Sequence, residues 1–255
     1  MSQDHTQRFS DRVANYIKYR PGYPPGILPY LQTTLGLTPA ARIADIGSGT
    51  GILSELFLQH GNPVWGVEPN QPMRAAAEEL LSRYPAFTSV DGRAEATGLP
   101  AHSFDFVTAG QAFHWFDPAQ AKTEFTRLLR PGGSAILIWN IRDQSYPLVY
   151  AYEDLLRTYG TDYVETTHLN LDKNHDLAAF FSPHPFHTQS FPNQQPLDLA
   201  GFTGRLLSAS YTPTPGHPNY APFLSAAQAV FDQHQANGQV TMHYLTHIYS
   251  GPLAP

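Results

Sequence analysis

The chain has 255 residues, with 15 basic and 21 acidic side chains, no cysteine and a formal net charge of −6 at neutral pH. A mildly acidic chain without basic clusters argues against duplex nucleic-acid binding, and the lack of cysteine excludes disulfides, thiolate metal sites and thiol nucleophiles. No apolar run approaches the roughly 18 residues of a membrane span, and the first residues do not resemble a signal peptide, so we expect a cytoplasmic protein without a membrane partner.

Short apolar runs alternate with amphipathic ones through the middle of the chain. The apolar runs predict strands at residues 42–46, 64–68, 87–90, 104–109 and 134–139. The amphipathic runs predict helices at residues 52–58 and 72–81 and around Phe125, Leu128 and Leu129. Near-continuous apolar strands separated by helices indicate a parallel sheet covered on both faces, with ligands beyond the carboxyl ends of its strands.

The pattern is looser in the last third of the chain. Helices are predicted at residues 147–159, 198–207 and 222–235, and residues 184–192 form an irregular stretch rich in His, Pro and Phe. Residues 240–249 show an alternating pattern and are rich in β-branched and aromatic side chains, which predicts a last strand that completes the sheet. The length fits one large α/β domain with a cap or two small domains.

A glycine-rich turn, residues 45–51 with the sequence Asp-Ile-Gly-Ser-Gly-Thr-Gly, follows the first predicted strand. Glycines there allow the backbone to approach a ligand, and Glu68 at the end of the next strand is placed to accept the hydroxyls of a ribose. The spacing departs from the G-x-G-x-x-G pattern of dinucleotide sites, because Ile52 takes the place of the third glycine. Asp45 would repel a pyrophosphate but favours an amino group or a sulfonium. The turn therefore predicts a nucleoside site for a ligand with a cationic end.

Each of these residues also has a purely structural explanation. The turn could be an ordinary strand-to-helix connection, Glu68 a solvated carboxylate at a strand end and Asp45 a cap for a loop amide. Trp65 and Met73 are interpreted as core residues and are not placed in the site. The combination of the glycine turn with Glu68 favours the ligand-binding interpretation.

The glycine turn together with Glu68 resembles the first motif of the class I S-adenosylmethionine-dependent methyltransferases. Other segments resemble further motifs of that family, namely residues 93–95 and 98–100 on the adenine side, 104–107 in the fourth strand and 128–133 before the fifth. The family motifs together cover residues 42–140. Three more segments are similar to a small-molecule branch related to trans-aconitate methyltransferase, at residues 19–24, 111–116 and 208–211.

The resemblance implies a Rossmann-like, doubly wound α/β fold. Its sheet would be seven-stranded and mostly parallel, with helices on both faces and a cap over the carboxyl ends of the strands. It also implies one methyltransferase domain over residues 1–255. Within that domain the expected parts are an N-terminal cap at 1–30, a cofactor-binding core at 36–145, and C-terminal strands with a helical cap insertion at 146–255.

S-adenosyl-L-methionine is the cofactor that the resemblance implies. The residues expected to bind it are Asp45, Gly47, Ser48, Gly49, Gly51, Glu68, Pro69, Ala94, Glu95 and Gln111. Arg93 stands where many relatives carry an aspartate that meets the adenine amino group. Adenine recognition is therefore expected to fall to the Ala94 backbone and to Glu95.

A small-molecule acceptor is expected near the transferred methyl group. His114, just past the fourth predicted strand, could orient or deprotonate the acceptor or could be a structural histidine of its loop. Arg20 could grip an acceptor carboxylate in a bidentate fork or be a plain surface arginine, and Arg142 has the same two interpretations. The expected catalytic residues are His114, Arg20 and Tyr16, and the expected acceptor-binding residues are Tyr19, Tyr23, Trp115, Arg142 and Tyr211.

Twelve histidines raise the question of a metal site. His243 and His247 would lie roughly 13 Å apart on a strand, which is too far for one ion. His184 and His187 lie in an irregular segment with no nearby carboxylate. No metal site is therefore predicted.

Three hypotheses about function follow. The first is methyl transfer from S-adenosylmethionine to a small, anionic acceptor, which needs no nucleophile on the protein because the sulfonium is already activated. The second is a non-catalytic S-adenosylmethionine-binding protein that serves a partner, which a sealed acceptor pocket would favour. The third is an NAD-dependent oxidoreductase, which the glycine spacing disfavours.

Overall fold

A computed structural model describes residues 13–161, residue 163 and residues 177–253. The first twelve residues of the predicted N-terminal cap lie outside these ranges. The α-helices are α1 (Val13–Tyr19), α2 (Ile27–Leu35), α3 (Ile52–His60), α4 (Gln71–Leu80), α5 (Pro118–Leu128), α6 (Pro147–Tyr159), α7 (Leu177–Phe181), α8 (Leu199–Leu207) and α9 (Tyr220–His234). The strands are β1 (Ile43–Ile46), β2 (Val64–Val67), β3 (Phe87–Val90), β4 (Phe104–Gly110), β5 (Leu129–Arg142), β6 (His187–Leu197) and β7 (Val240–Gly251).

The strands form one seven-stranded sheet in the order β3-β2-β1-β4-β5-β7-β6. Strands β1 to β5 pair in parallel, β7 is antiparallel to β5, and β6 is antiparallel to β7. The chain order reverses beside β1, where β2 lies on one side and β4 on the other. The carboxyl ends of β1 and β4 therefore diverge into a crevice, which is where open α/β sheets bind ligands.

Helices cover both faces of the sheet. Successive side chains along β5 point to opposite faces, and each set packs against different helices. Ile136 and Ile138 belong to a buried cluster with residues of α2 and α3. Leu137 and Trp139 belong to another buried cluster with residues of α5 and α7. This two-sided burial explains why the central strands are continuously apolar.

The C-terminal part of the chain builds a separate cluster beside the sheet, from α6, α8, α9 and the start of β7. Helix α1 is seated on α8, since a side chain added at Gly204 would overlap the ring of Tyr19. The side chain of Asn140, near the end of β5, donates to the carbonyl of Gly22 at 3.1 Å and ties the segment after α1 to the sheet. These contacts place the N-terminal segment over the carboxyl end of β5.

The predicted fold class is confirmed, including the seven strands, the mostly parallel order and the helices on both faces. The prediction for residues 184–192 is wrong, because most of them lie in β6. Strand β6 is an edge strand whose side chains are mostly exposed, and it contains Pro192 and Pro196, so it lacks the apolar alternation of a half-buried strand. Strand β5 also begins at Leu129, which was expected to belong to a helix.

Within the described ranges, no helix is both long and apolar enough to cross a membrane.

Candidate active site

A cleft with about 620 Å³ of space lies at the carboxyl ends of β1, β4 and β5. Of the residues predicted for the site, eight line it: Tyr16, Arg20, Tyr23, Asp45, Gly47, Ser48, Gln111 and Arg142. Residues that the sequence did not single out also line it, among them Thr50, Asn140 and Arg205. The cleft is therefore built jointly by the glycine turn, the N-terminal segment, the ends of β4 and β5, and α8.

The glycine turn is held against the end of β2. The amides of Gly47 and Ser48 donate to the carbonyl of Val67 at 2.8 and 3.1 Å. Gly49 has a φ of +57°, in the left-handed region that favours glycine, and an added Cβ would meet only Met73 Cε at 3.7 Å. The outer side of Gly49 is thus open for a ligand to approach the backbone closely.

Glu68 follows β2 and is almost completely buried. Its two carboxylate oxygens accept the backbone N–H groups of Gly49 at 2.9 Å and Asn70 at 2.8 Å. Burial raises the pKa of Glu68, and these two hydrogen bonds oppose that rise. A carboxylate has about four lone-pair positions, so two remain available for ribose hydroxyls. Pro69, also predicted for the cofactor site, is half-buried between Glu68 and Asn70.

Asp45 is fully buried at the end of β1 and lines the cleft. It accepts hydrogen bonds from Ser54 Oγ at 2.7 Å and Thr108 Oγ1 at 2.9 Å. Burial raises the pKa of Asp45 to about 6, although both hydroxyls favour the charged form. The group therefore titrates near neutrality, and a cation in the cleft would favour its ionised state.

The predicted adenine-side residues lie in a loop between β3 and β4. Ala94 is buried, and Glu95 Oε1 accepts the N–H of Asp117 at 2.9 Å, just before α5. Glu124 of α5 accepts both the N–H of Thr97, at 2.9 Å, and its hydroxyl. Helix α5 therefore fixes the shape of this loop at two points.

His114 and Trp115 lie in a short 3₁₀ helix that follows β4, with ring centroids 4.7 Å apart. Neither residue belongs to the lining of the cleft. Gln111, in contrast, lines it and has a φ of +57°, which is uncommon for a residue other than glycine. Its side-chain amide donates to the carbonyl of Asn140 at 3.1 Å and so connects the ends of β4 and β5.

Three arginines line the cleft, and their surroundings differ. Arg20 lies over the ring of Tyr16, with its guanidinium carbon 4.7 Å from the ring centroid, and donates to the carbonyl of Ser208 at 3.2 Å. Arg142 forms a buried ion pair with Glu153. Burial lowers the pKa of Arg20, and the positive charge of Arg205 lowers it further.

The remaining tyrosines take different places. Tyr23 lines the cleft, and burial raises its pKa well above the usual value. Tyr19 packs on α8 at Gly204 and is outside the lining. Tyr211 is buried and outside the lining of the cleft, and although burial opposes its ionisation, the nearby arginines at 142, 20 and 205 lower its pKa.

Sequence reasoning missed Arg205. It lies on the buried face of α8 next to Phe202 and Leu206, and only 3% of it is exposed. An arginine on the apolar face of an amphipathic helix is the signal that could have identified it, since such a charge needs a partner or a ligand.

Comparison with known proteins gives consistent matches. A profile described as a methyltransferase domain matches residues 44–137. An uncharacterised methyltransferase from Mycobacterium bovis is 38% identical over 142 residues, which are 56% of this chain and 56% of that protein. An uncharacterised methyltransferase from Geobacillus kaustophilus is 33% identical over 159 residues, covering 60% of this chain and 71% of that protein. A solved structure of a candidate type II methyltransferase from Anaeromyxobacter dehalogenans is 24% identical, with a TM-score of 0.66, and covers 93% of this chain and 99% of that chain.

The chain belongs to the S-adenosylmethionine-dependent methyltransferases, and its fold is that of class I. The predictions of this family and of S-adenosylmethionine as the cofactor are confirmed. The match spans only about half the length of the mycobacterial relative, at 56%. The open backbone at Gly49, the carboxylate of Glu68 and the buried carboxyl of Asp45 fit this cofactor, because it carries a ribose and cationic groups.

Gly49→Val is expected to abolish binding of S-adenosylmethionine, because the side chain would fill the space where the ligand approaches the backbone. Gly36→Val is the matched control, since Gly36 also has a positive φ, of +69°, and open space around it, but lies at the end of α2. Both variants should lose about 1 to 3 kcal/mol of stability from backbone strain. Calorimetric titration checks this prediction, and equal cofactor affinity in the two variants would contradict it.

Asp45→Asn is expected to remove a pH dependence of cofactor binding. In the wild type the carboxyl is mostly protonated below about pH 6, and only its ionised form pairs with a cation. The affinity for S-adenosylmethionine should therefore rise about tenfold between pH 5 and pH 7, as the ionised fraction rises. The amide cannot titrate, and its affinity should be low and flat over this range. Asp232→Asn, which changes an exposed carboxylate on α9, should keep the wild-type profile. A flat wild-type profile would show that Asp45 does not face a cationic part of the ligand.

Proposed function

We propose that this methyltransferase transfers a methyl group to a small-molecule acceptor that carries a carboxylate, and that it does so in the cytoplasm. The observation that carries the proposal is the position of Arg20. It lines the same cleft as Asp45 and Gly47, and it has no carboxylate partner within the described ranges. A guanidinium in such a place favours an anionic ligand.

The three segments that resemble the trans-aconitate methyltransferase branch support this proposal. Arg20 from the first segment bonds to Ser208 from the third, and Gln111 from the second lines the same cleft. Residues far apart in the chain are thus brought together around one space. On this basis we propose that the chain belongs to that small-molecule branch.

The glycine turn and the three arginines line one and the same cleft. A shared cleft favours an enzyme over a non-catalytic cofactor-binding protein, because an acceptor needs access to the methyl group. Glu68 and the Gly49 backbone would hold the ribose, and the Ala94 backbone and Glu95 the adenine. Asp45 would hold the cationic end.

The chemistry requires little from the protein beyond binding. When bound, S-adenosylmethionine supplies a methyl group on a positively charged sulfur, which a lone pair of the acceptor can attack. Arg20 orients the acceptor carboxylate, and Tyr16 and Tyr23 exclude water from the cleft. A carboxylate needs no general base, which agrees with the place of His114 outside the cleft lining. An amine or phenol acceptor would need one, and His114 would then be the first candidate.

Incubation with S-adenosylmethionine and a panel of small molecules, with mass spectrometry of the products, tests the proposal. Methylated carboxylates are expected, while their amides should remain unmodified because they leave the arginine unpaired. Binding of the cofactor without any methylated product would support the non-catalytic alternative. Methylated amines or phenols, with a pH-dependent loss in His114→Ala, would overturn the carboxylate proposal.

Arg20→Lys is expected to lower kcat/KM for the acceptor by about 10- to 100-fold, since a lysine cannot form the bidentate fork. Affinity for S-adenosylhomocysteine should change by no more than about threefold. Arg157→Lys is the control, because Arg157 is exposed on α6 and donates to Gln144. If Arg20→Lys lowers the affinity for S-adenosylhomocysteine as much as it lowers kcat/KM, Arg20 contacts the cofactor rather than the acceptor.

A further inference from the structure

The charges that line the cleft are not balanced. Arg20, Arg142 and Arg205 contribute three guanidinium groups. Glu153 neutralises Arg142 through a direct ion pair. Asp45, the acidic residue of the lining, is bonded to the hydroxyls of Ser54 and Thr108 rather than to an arginine. Two positive charges are therefore left without a carboxylate partner in the part of the chain that the structure describes.

Arg205 is the more deeply buried of these two cations, with 3% of the residue exposed. Its Nε donates to Tyr244 Oη and its Nη1 to Ser208 Oγ, both at 3.4 Å. Its Nη2 has no hydrogen-bond partner among residues 13–161, 163 and 177–253. These two long bonds to neutral hydroxyls leave the buried guanidinium without a carboxylate partner in that part of the chain, although the burial of a charge is costly.

Arg20 and Arg205 converge on one residue. Arg20 Nη2 donates to the Ser208 carbonyl at 3.2 Å, and Arg205 Nη1 donates to the hydroxyl of the same serine. The repulsion between the two cations also lowers the pKa of Arg20. An arrangement that holds two guanidinium groups together in a cleft is stabilised by an anion placed between them.

We propose that Arg205 is a specificity-determining residue, which binds the anionic group of the acceptor from one side while Arg20 binds it from the other. The inference rests on the proposed function and adds to it the second half of the anion site. Arg142 has a different part, because Glu153 already neutralises it. Carboxylates and phosphate monoesters share the required chemistry, and the proposed function favours the carboxylate.

Probe binding to the complex of the protein with S-adenosylhomocysteine tests the proposal. The probes are benzoate, phenyl phosphate and the neutral benzamide, titrated by calorimetry. The wild type is expected to bind both anions at least about tenfold more tightly than benzamide. The ratio of the affinities for benzoate and phenyl phosphate distinguishes a carboxylate site from a phosphate site. Wild-type affinity for benzamide equal to that for the anions would overturn the proposal.

Arg205→Met keeps the volume of the side chain and removes its charge, and it should lower the affinity for the anionic probes by about tenfold or more. Affinities for benzamide and S-adenosylhomocysteine should stay within about threefold of the wild type. Arg157→Met, which changes an exposed arginine on α6, should leave all four affinities unchanged. Unchanged anion binding in Arg205→Met would refute the role of Arg205.

Two further measurements keep the outcomes distinct. If Arg205→Met does not fold, Arg205→Gln is tested in its place, with the same expected affinities. The increase in the unfolding temperature of the wild type with each probe gives an independent ranking of the affinities for the two anions and the amide. If the wild type binds the cofactor but methylates no acceptor, the proposed function itself is refuted. Methylation of neutral acceptors by both the wild type and Arg205→Met would leave the enzyme assignment intact and reject only the anion site.

Discussion

The hydrogen bond from the Gly49 amide to Glu68, at 2.9 Å, is the interaction on which the site depends. It joins the turn after β1 to the end of β2, so the position of the glycine backbone is set by a residue 19 positions later. The second carboxylate oxygen of Glu68 accepts the amide of Asn70, whose side chain in turn accepts the N–H of Met73 at the start of α4. One buried carboxylate thus fixes the turn, the strand end and the following helix, and still has lone pairs for a ligand.

Acidic and basic side chains lie around the same cleft. Asp45 lines it at the glycine turn, and Glu68 is buried beside that turn but outside the lining. Arg20 and Arg205 also line the cleft and lack carboxylate partners within the described ranges. We propose that the acidic groups hold the cofactor and the arginines an anionic acceptor, which would orient the two ligands with respect to each other.

Local signals in the sequence predicted the sheet from β1 to β5, the glycine turn and Glu68, because parallel strands are continuously apolar and the turn needs glycine at positive φ. Strand β6 was missed, since most of its side chains are polar and it contains two prolines. Arg205 was missed because its significance depends on its contact with the distant Tyr244 and on its closeness to the charge of Arg20, which only the tertiary fold produces. Its position on the apolar face of α8 could be predicted from the sequence, but its lack of a carboxylate partner within the described ranges could not.

The most direct test of the account compares S-adenosylhomocysteine with its 2′-deoxy analogue on the wild type and on Glu68→Gln. A charge-assisted hydrogen bond to a ribose hydroxyl contributes about 1.5 to 3 kcal/mol, so the wild type should bind the analogue about 10- to 150-fold more weakly. In Glu68→Gln the parent ligand should already bind more weakly, and removal of the hydroxyl should cost little more. Equal binding of the two ligands by the wild type would contradict the central claim that Glu68 holds the ribose.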